Sequence, residues 1–246
     1  MELLGIDIGG SGIKGALVDV QSGALVSERL RLETPQPATP EAVAKTVAEL
    51  VHLFNWRGTV GCGFPAVISN GIAKTAANID AGWIGTDAAK LLSETTDCPC
   101  SVINDADAAG LAEMRFGCAR DRSGTVLVLT LGTGIGSALF YNGSLYPNSE
   151  LGHLQMKNGI AEHYTSAAVR KNEDLSWKGW AKRLNKFLAQ VERLFSPELI
   201  VLGGGVSRKH EKFFPYLQVA AELLPAELRN QAGIVGAACF AAEQQG

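Results

Sequence analysis

The sequence carries little excess charge of either sign. Its 22 Lys and Arg residues against 25 Asp and Glu residues give a formal net charge of −3. No overall basic field is therefore available to hold a nucleic acid by charge, and we expect no nucleic-acid partner. Charged residues make up 19% and hydrophobic residues 46% of the 246 positions, which is typical of a folded globular protein.

Cysteine is scarce, and long apolar runs are missing. The five cysteines include no C-x-x-C pair of the kind that zinc sites use, so reduced thiols are the simplest expectation. No apolar stretch reaches the roughly 18 residues that would suggest a membrane span. Glu2 stands where a signal peptide would carry positive charge. These absences predict a cytoplasmic protein with no membrane association.

Apolar runs of strand length alternate with segments of helical periodicity. Thr39 and Pro40 stand where a helix N-cap and a first helical residue are expected, before apolar residues at helical spacing. We predict strands at 3–8, 13–20, 24–32, 59–64 and 101–103, and helices after Thr39, at 87–92 and after the 101–103 strand. This order indicates an α/β protein.

Two glycine-rich stretches resemble each other. The first, DIGGSGIKGAL at 7–17, matches TLGTGIGSAL at 130–139 once one residue is removed. Each follows an apolar run and precedes another predicted strand, and YNGSLY at 141–146 has the turn chemistry of a hairpin. Two glycine-turned hairpins about 120 residues apart predict two lobes built on one plan.

Both glycine turns are candidate phosphate sites, because backbone N–H groups without a neighbouring Cβ can approach an anion closely. The first turn adds the cation Lys14, and Asp7 at its mouth is well placed to hold Mg²⁺ through water. Neither turn fits the Walker pattern or the dinucleotide fingerprint, and both could be purely structural. A third cluster, LIVLGGGVS at 199–207, could admit a base or another phosphate.

Asn104 and Asp105 follow a predicted buried strand, where the active sites of open α/β sheets are found. A carboxylate there can accept the proton of an attacking hydroxyl, and the neighbouring amide can fix a second hydroxyl. The alternative is that Asp105 simply caps the following helix, with Asp107 interacting favourably with the helix dipole. The local sequence leaves both interpretations open.

Three further polar residues are candidate ligands of a sugar. Glu150 and His153 lie in the polar loop NSELGHLQM, and both side chains hydrogen-bond well to vicinal hydroxyls. Asn78 lies in the stretch TAANIDAGW, which could wall a small polar pocket. A single histidine is more often structural than functional, so His153 by itself is weak support for a sugar-binding site.

Taken in order, these motifs resemble the ROK family of sugar kinases. The matching stretches run from about residue 3 to about residue 240: D-I-G-G-S-G-I-K-G, G-F-P, A-A-N-I-D-x-x-W, I-N-D-A-D-A-A, L-G-T-G-I-G, E-L-G-H and L-G-G-G-V-S. Within the family the sequence is most similar to the bacterial polyphosphate glucokinases. The resemblance implies the actin-like, ribonuclease-H-like fold, with two α/β lobes around a central cleft, and a homodimer. It places the lobes at 1–104 plus about 232–246, and at 105–231.

The resemblance also implies roles at the matching positions. Asp105 would be the base that takes the proton from the sugar 6-hydroxyl, while Asn104 and Asn78 would bind the 4- and 3-hydroxyls. Glu150 and His153 would contact the hydroxyls at the reducing end. The implied phosphate-binding residues are Asp7, Gly9, Gly10, Ser11, Gly12, Lys14, Thr133, Gly134 and Gly204. The implied reaction uses Mg²⁺, glucose as acceptor, and polyphosphate or ATP as phosphoryl donor.

The sequence departs from most of the family after His153. The usual zinc-binding run of one histidine and three cysteines is replaced by LQMKNGIAEHYTSAAVRK, which contains no cysteine, so no structural zinc is expected. Glu162 could keep the sugar-facing role of the final glutamate in that run. Polyphosphate glucokinases share this departure, and they share the pattern SAAxRxxEDLSWxxWAxRL found at 166–184.

A predicted helix at 177–195 has a basic face opposite its apolar stripe. The basic residues, which fall within about 80° of one another at 100° per residue, are Lys178, Lys182, Lys186 and Arg193. With Arg170 and Lys171 upstream, this face could track a polyphosphate chain, and binding of that type weakens as salt rises. The alternative is an ordinary solvated face, because Glu173 and Asp174 dilute the charge.

The sequence favours an enzyme over a non-catalytic sugar sensor. ROK repressors carry a helix-turn-helix before the first glycine loop, whereas the first strand here is predicted to begin within the first three residues. The expected activity is that of a glucokinase. An ATP-only hexose kinase acting on glucose, mannose, fructose or N-acetylglucosamine is the alternative, because the configuration of one hydroxyl is selected by pocket geometry that motifs do not define.

Overall fold

The computed structural model describes residues 1–77, 79–157 and 159–245. They fall into two compact units, each with its own central sheet and its own apolar core. Unit 1 comprises Met1–Ala112 with Gln231–Gly246, and unit 2 comprises Glu113–Asn230. All five cysteines are free thiols.

Helices occur in both parts of the sequence. The α-helices of the described ranges are α1 Pro40–Leu53, α2 Ala88–Thr96, α3 Asp105–Phe116, α4 Ala161–Thr165, α5 Ala167–Asn172, α6 Trp177–Phe195 and α7 Ala232–Glu243. Short 3₁₀ segments lie at Ala81–Trp83, Leu151–His153, Gly205–Lys212, Phe214–Tyr216 and Arg229–Gln231. Over these same ranges, no helix combines the length and the hydropathy that a membrane crossing requires.

Unit 1 is built on a mixed sheet. Its strands are β1 Glu2–Gly9, β2 Gly12–Asp19, β3 Ala24–Leu25, β4 Leu30–Leu32, β5 Val60–Phe64 and β8 Cys100–Asn104, with β6 Ile68–Ser69 and β7 Ile72–Ala73 forming a separate pair. The order is β3-β2-β1-β5-β8, and β4 pairs with β2. Strands β1, β5 and β8 are parallel to one another, so their carboxyl ends lie at one edge of the sheet.

Helix α1 forms as its sequence predicts. The Thr39 side chain accepts a hydrogen bond from the Ala42 N–H at 3.4 Å, and Pro40 occupies the first turn, where its missing N–H is not needed. Val43, Val47 and Leu50 recur at helical spacing and are fully buried in the core of unit 1. The predicted helix start is therefore confirmed, and its apolar stripe accounts for its packing.

Helix α7 lies against the sheet of unit 1 at very short range. A Cβ added to Gly5 would stand 2.1 Å from the Ile234 carbonyl oxygen, and one added to Gly61 would stand 1.9 Å from the Ala237 carbonyl oxygen. The helix is rich in alanine and is buried almost throughout. Glycine in the strands and alanine in the helix therefore set the distance between these two layers.

Two predicted boundaries differ from the observed ones. The apolar run at 24–32 is wrong as a single strand, since the chain forms β3 and β4 with a break between them. At that break the Ser27 hydroxyl accepts the Leu17 N–H at 2.9 Å, which replaces a ladder hydrogen bond. The predicted helix at 87–92 is α2, which runs on to Thr96 and is capped by Asp87 through the Lys90 N–H at 2.9 Å.

Unit 2 repeats the plan of unit 1. Its strands are β9 Thr125–Leu131, β10 Ile135–Tyr141, β11 Ser144–Tyr146, β14 Leu199–Gly203 and β15 Glu222–Pro225, in the order β11-β10-β9-β14-β15, with β12 Gln155–Met156 and β13 Gly159–Ile160 as a separate pair. Along the order β3-β2-β1-β5-β8 and along β11-β10-β9-β14-β15, two antiparallel pairings are followed by two parallel ones. The two sheets share this topology, as the repeated glycine hairpin predicts.

Local sequence explains the main elements of unit 2. Asn142 and Gly143 have φ values of 49° and 80°, so the predicted hairpin at 141–146 closes through a two-residue turn of left-handed residues. Helix α6 has the predicted bounds, Trp177–Phe195, and the Ser176 hydroxyl accepts the Gly179 N–H at 3.1 Å. The fully buried side chains of its apolar stripe are Trp180, Leu184, Phe187, Leu188 and Val191.

Candidate functional site

Three polar side chains stand at the carboxyl edge of the unit 1 sheet. Asp7 lies near the end of β1 opposite Gly63, Asn104 is the last residue of β8 opposite Phe64, and Asp105 opens α3. The strand register therefore brings these three residues to one edge. This edge is the usual position of an active site in an open α/β sheet.

Asn104 caps α3, and Asp105 does not. The Asn104 Oδ1 accepts the N–H groups of Ala106 at 2.9 Å and Asp107 at 3.1 Å, while its Nδ2 donates to the Ala66 carbonyl at 3.1 Å. The interpretation of Asp105 as the cap is therefore wrong, because the preceding residue already supplies that acceptor. Asp105 is half-buried, and its Oδ1 accepts the Ala106 N–H at 2.8 Å.

Two glycines lie beside the residues that carry these carboxylates. A Cβ on Gly63 would come within 3.7 Å of the Asp105 Cα, and a Cβ on Gly233 would come within 3.2 Å of the Asp7 Cγ. Gly63 lies on the strand between the two acids, and Gly233 lies in the first turn of α7. The glycine at position 233 therefore makes room for the Asp7 carboxylate, whereas a Cβ at position 63 would make only ordinary van der Waals contact.

The first glycine turn, Gly9–Gly12, joins β1 to β2. Gly10 and Ser11 at its tip are exposed. Lys14 stands directly opposite Asp7 across the hairpin, and its Nζ lies 3.1 Å from the Asp7 Oδ2. Their side chains retain exposures of 30% and 21%, so a charged pair borders the turn and remains reachable from solvent.

The second glycine turn, Gly132–Gly134, joins β9 to β10 and carries no cation of its own. Gly132 and Thr133 are exposed, and a Cβ on Gly132 would meet no atom within 4 Å. The first residues of α5 lie beside this turn, since the Ala168 N–H donates to the Gly132 carbonyl at 3.0 Å. Open space at bare backbone is what the approach of an anion requires.

The third glycine cluster has a packing role. Gly204 has a φ of 78°, and a Cβ there would stand 2.4 Å from the Leu131 carbonyl oxygen. Gly203 pairs with Thr130, and directly after this pair the missing Cβ of Gly204 lets the chain lie against the end of β9. Gly205 beside it faces open space. Close strand packing therefore explains the glycine at position 204, whether or not a ligand contacts it.

Glu150, His153 and Glu162 form a cluster in unit 2, and Glu162 is brought there from α4. The His153 Nδ1 lies 3.8 Å from the Glu150 Oε2, and its Nε2 lies 3.7 Å from the Glu162 Oε1. The Ile135 N–H, directly after the second glycine turn, donates to the Glu162 Oε2 at 3.3 Å. Burial raises the pKa of the Glu150 carboxyl above its usual value, with His153 opposing the rise and Glu162 adding to it.

The backbone of this cluster is fixed against β10. The Ser137 hydroxyl donates to the Ser149 carbonyl and accepts the Leu151 N–H at 2.9 Å. A Cβ on Gly152 would stand 2.2 Å from the Ile135 carbonyl oxygen, so the glycine of E-L-G-H lets this segment lie on the strand. The His163 Nε2 also lies 3.8 Å from the Glu162 Oε1. Sequence reasoning missed His163, although its position next to Glu162 in the sequence could have indicated this contact.

One predicted sugar ligand, Asn78, lies outside the described residues. Within the described part of the chain, no group of three or more His, Cys, Asp or Glu side chains is arranged to hold a metal ion. Asp7 with Lys14 beside it therefore stands as a single carboxylate rather than as part of a cage of protein ligands.

The predicted basic face lies on α6. Lys178, Lys182 and Lys186 are exposed, the Lys186 Nζ contacts the Tyr164 hydroxyl at 3.2 Å, and the Lys178 Nζ lies 5.9 Å from the centre of the Tyr216 ring. Arg170 differs, because its guanidinium covers the Trp177 ring at 3.9 Å and donates to the Leu175 carbonyl at 3.1 Å. Arg170 therefore stabilises the connection between α5 and α6.

Comparison with known proteins agrees with the motif resemblance. The family model described as "ROK family" matches residues 3–168. The chain is 48% identical over 235 residues to the polyphosphate glucokinase of Mycobacterium tuberculosis, covering 95% of this chain and 89% of that relative. The expected kinship with sugar kinases of this type is confirmed.

Solved structures give the fold. The inorganic polyphosphate/ATP-glucomannokinase of Arthrobacter sp. strain KM superimposes with a TM-score of 0.95 at 49% identity, covering 99% of both chains. A ROK family glucokinase of Streptomyces griseus, solved with glucose and AMPPNP, gives a TM-score of 0.85 at 25% identity over 100% of both chains. The expected actin-like ATPase fold is thereby confirmed. The chain belongs to the ROK family of sugar kinases.

Proposed function

We propose that the chain is a glucokinase that transfers a phosphoryl group from inorganic polyphosphate, and from ATP, to the 6-hydroxyl of glucose. The observation that carries this proposal is the 48% identity, over nearly the whole chain, with a protein named polyphosphate glucokinase. The match at a TM-score of 0.95 to a kinase named for both polyphosphate and ATP supports the same pair of donors.

Asp105 acts as the general base. Asp105 stands directly after a parallel strand of the sheet, at the edge where active sites lie, and a carboxylate there can accept the proton of an attacking hydroxyl. Removing that proton as the oxygen attacks phosphorus makes the oxygen a better nucleophile. Bases of this kind typically contribute about 10²–10⁴ in rate.

Glu150, His153 and Glu162 bind sugar hydroxyls. Carboxylates accept and an imidazole donates or accepts, so the cluster can hold a pair of vicinal hydroxyls at once. The Asn104 amide has one N–H that its three structural hydrogen bonds do not use, and this N–H binds the 4-hydroxyl. Asn78 is assigned to the 3-hydroxyl by the family resemblance.

The glycine turns bind the donor. Lys14 attracts the phosphate oxygens, and the backbone N–H groups of Gly10, Ser11, Thr133 and Gly134 donate to them, together with the Thr133 hydroxyl. Mg²⁺ binds proteins through one or two carboxylates plus substrate phosphates, and Asp7 fits that need through a water ligand. When bound, Mg²⁺ supplies positive charge to the phosphates.

A polyphosphate chain extends over a basic surface of unit 2. Residues 166–216 carry ten Lys or Arg and five Asp or Glu, in a chain whose formal net charge is −3. Lys178, Lys182 and Lys186 lie exposed along α6, and Lys171 is exposed on α5. A polyanion is attracted to such a surface through many weak, salt-sensitive contacts.

Substrate range and setting complete the proposal. The Arthrobacter relative is named a glucomannokinase, so mannose is the second candidate acceptor. The homodimer is implied by the family resemblance and the cytoplasmic setting by the sequence composition, and light scattering on the purified protein tests the first of these.

A coupled assay for glucose 6-phosphate tests the proposal. We expect turnover with ATP and with polyphosphate, and a preference for polyphosphate. Mannose replaces glucose in a parallel series with ATP as donor, read by ADP release. Turnover with ATP alone would remove polyphosphate as donor, and no turnover with either donor would overturn the glucokinase assignment.

A further inference from the structure

Three side chains from one segment hold the carbonyl groups of the first glycine turn. The Thr34 hydroxyl donates to the Gly9 carbonyl at 2.5 Å, the Gln36 Nε2 donates to the Gly10 carbonyl at 3.5 Å, and the Arg31 Nη2 donates to the Ser11 carbonyl at 2.6 Å. We refer to Arg31, Thr34 and Gln36 as the clamp. The three clamped carbonyls are consecutive, so almost the entire turn is fixed from one side.

The clamp matters because a short loop can present either end of its peptide dipoles to a ligand. A carbonyl oxygen that turns toward phosphate repels it, whereas an N–H attracts it. A carbonyl held by the clamp is not free to turn. The carbonyl oxygens of the turn are therefore already hydrogen-bonded to the clamp before a ligand binds. This lowers the free-energy cost of reorienting the turn on binding.

Burial and sequence fit this arrangement. Thr34 is 7% exposed, so water competes little for its hydrogen bond. A Cβ on Gly12 would stand 2.5 Å from the Arg31 Nε, so the glycine at position 12 makes room for the guanidinium. A side chain at position 12 would collide with Arg31, and this explains why glycine stands there.

Arg31 also adds charge beside the turn. It stands opposite Lys14 across β4 and β2, and Lys14 stands opposite Asp7 across β2 and β1. Lys14 is paired with Asp7, whereas Arg31 donates its hydrogen bond to the uncharged Ser11 carbonyl. The positive charge of Arg31 is therefore not neutralised by that bond.

We propose that Arg31, Thr34 and Gln36 are positioning residues that orient the first glycine turn for the donor phosphates, with Arg31 supplying a second positive charge there. The inference rests on the proposed function, because it assigns the turn to the phosphoryl donor. It is specific to the donor, since none of these bonds involves Glu150, His153, Glu162 or Asp105.

Thr34→Val tests the central bond of the clamp, because valine keeps the shape of threonine and lacks its hydroxyl. We expect the donor KM to rise about tenfold, because the loosened turn must be ordered on binding at a cost comparable to one lost hydrogen bond, with the glucose KM within about twofold of the wild type. Thr34→Ser restores the hydroxyl and should return the donor KM close to the wild-type value.

Binding of inorganic tripolyphosphate with Mg²⁺, measured by calorimetry, gives a readout that needs no turnover. We expect the Kd to rise about tenfold in Thr34→Val and to recover in Thr34→Ser. If the wild type shows no turnover but Thr34→Val weakens tripolyphosphate binding, the clamp stands while the glucokinase proposal falls.

Thr96→Val is the matched control. Thr96 is 8% exposed, and its hydroxyl donates to the Leu92 carbonyl at 2.8 Å within α2. It should lower the melting temperature without changing the donor KM or the tripolyphosphate Kd. The control separates a general loss of stability from a loss of donor binding.

Arg31→Gln and Arg31→Ala separate the hydrogen bond from the charge. Glutamine can still donate to the Ser11 carbonyl, so Arg31→Gln should weaken tripolyphosphate binding less than Arg31→Ala and should reduce its dependence on salt.

The inference is overturned if Thr34→Val lowers stability as Thr96→Val does but leaves tripolyphosphate binding unchanged. It is equally overturned if donor and glucose KM rise together, or if the wild type does not bind tripolyphosphate.

Discussion

At the scale of single residues, the neighbours Asn104 and Asp105 divide two tasks that the sequence alone could not separate. Both residue types cap helices well, and a cap at either position would look the same in the sequence. The structure gives the cap to Asn104, which is 5% exposed and holds two N–H groups of α3. Asp105, half-buried beside it, is the residue proposed for chemistry.

Asp105→Asn should abolish most turnover while leaving glucose binding largely intact. The amide keeps the size of the carboxylate but cannot accept the proton, so kcat should fall by about 10²–10⁴. Glucose affinity is measured by calorimetry. Asp87→Asn, which alters the cap of α2, is the control and should retain wild-type kcat. Retention of more than about a tenth of the wild-type rate by Asp105→Asn would contradict its role as base.

Glu150→Gln should stabilise the protein at neutral pH. Burial raises the pKa of Glu150 from its usual 4.5, so the ionised form is disfavoured in the folded state. The protonated form carries no such penalty below pH 4.5, and the penalty appears as pH rises through the raised pKa. The melting temperature of the variant should therefore exceed that of the wild type at pH 7 and equal it near pH 4. A difference that is constant with pH would contradict this cause.

At the scale of elements, the packing of α7 on β1 and β5 shows how strictly backbone spacing is set. Sequence periodicity identified these strands, but a nearly all-apolar helix gives no indication of which face it buries. The contact is decided by Gly5 and Gly61, whose missing side chains let helix carbonyls lie directly on the sheet. Such non-local fits are invisible in a local pattern.

Gly61→Ala should destabilise the protein by about 1–3 kcal/mol, the usual range for an overpacked site. Its Cβ would stand 1.9 Å from a backbone atom of α7 that cannot move alone. Gly63→Ala, two residues along the same strand, is the matched control, since its nearest neighbour would stand at 3.6 Å. Urea unfolding of both variants measures the difference, and equal losses would show that strand propensity, rather than the close contact, is responsible.

The exposed lysines of α6 give a second prediction at this scale. Replacing Lys178, Lys182 and Lys186 by Gln should raise the KM for long polyphosphate and reduce its salt dependence, with little change for ATP. Lys45→Gln with Lys90→Gln, on the exposed surfaces of α1 and α2, is the control for altered net charge. An equal effect on both donors, or none on polyphosphate, would assign the α6 lysines to an ordinary solvated surface.

At the scale of the whole molecule, sequence reasoning predicted the repeated plan and the main strands and helices well. The glycine hairpins, the Thr39 cap and the amphipathic stripe of α6 are local signals, and each is confirmed. The clamp on the first glycine turn was missed because Arg31, Thr34 and Gln36 belong to no motif and act on residues 20 to 26 positions away. Family resemblance, rather than periodicity, supplied the grouping of Glu162 with His153.

The two units differ in charge at equivalent places. Asp7 opposite Lys14 in the first hairpin corresponds to Thr130 opposite Gly136 in the second. A shared topology therefore carries a charged turn in unit 1 and an uncharged one in unit 2.

The assignment of α7 to unit 1 has a consequence for how the protein is made. A ribosome releases the strands of unit 1 first, then all of unit 2, and then the helix that covers β1 and β5. Unit 2 is contiguous and can fold during translation, whereas the earlier-synthesised half must wait with an uncovered sheet. The N-terminal unit, which usually folds first, thus completes its folding last. We expect chaperones to bind nascent chains that are stalled before α7, because the sheet face that α7 covers is still exposed in them.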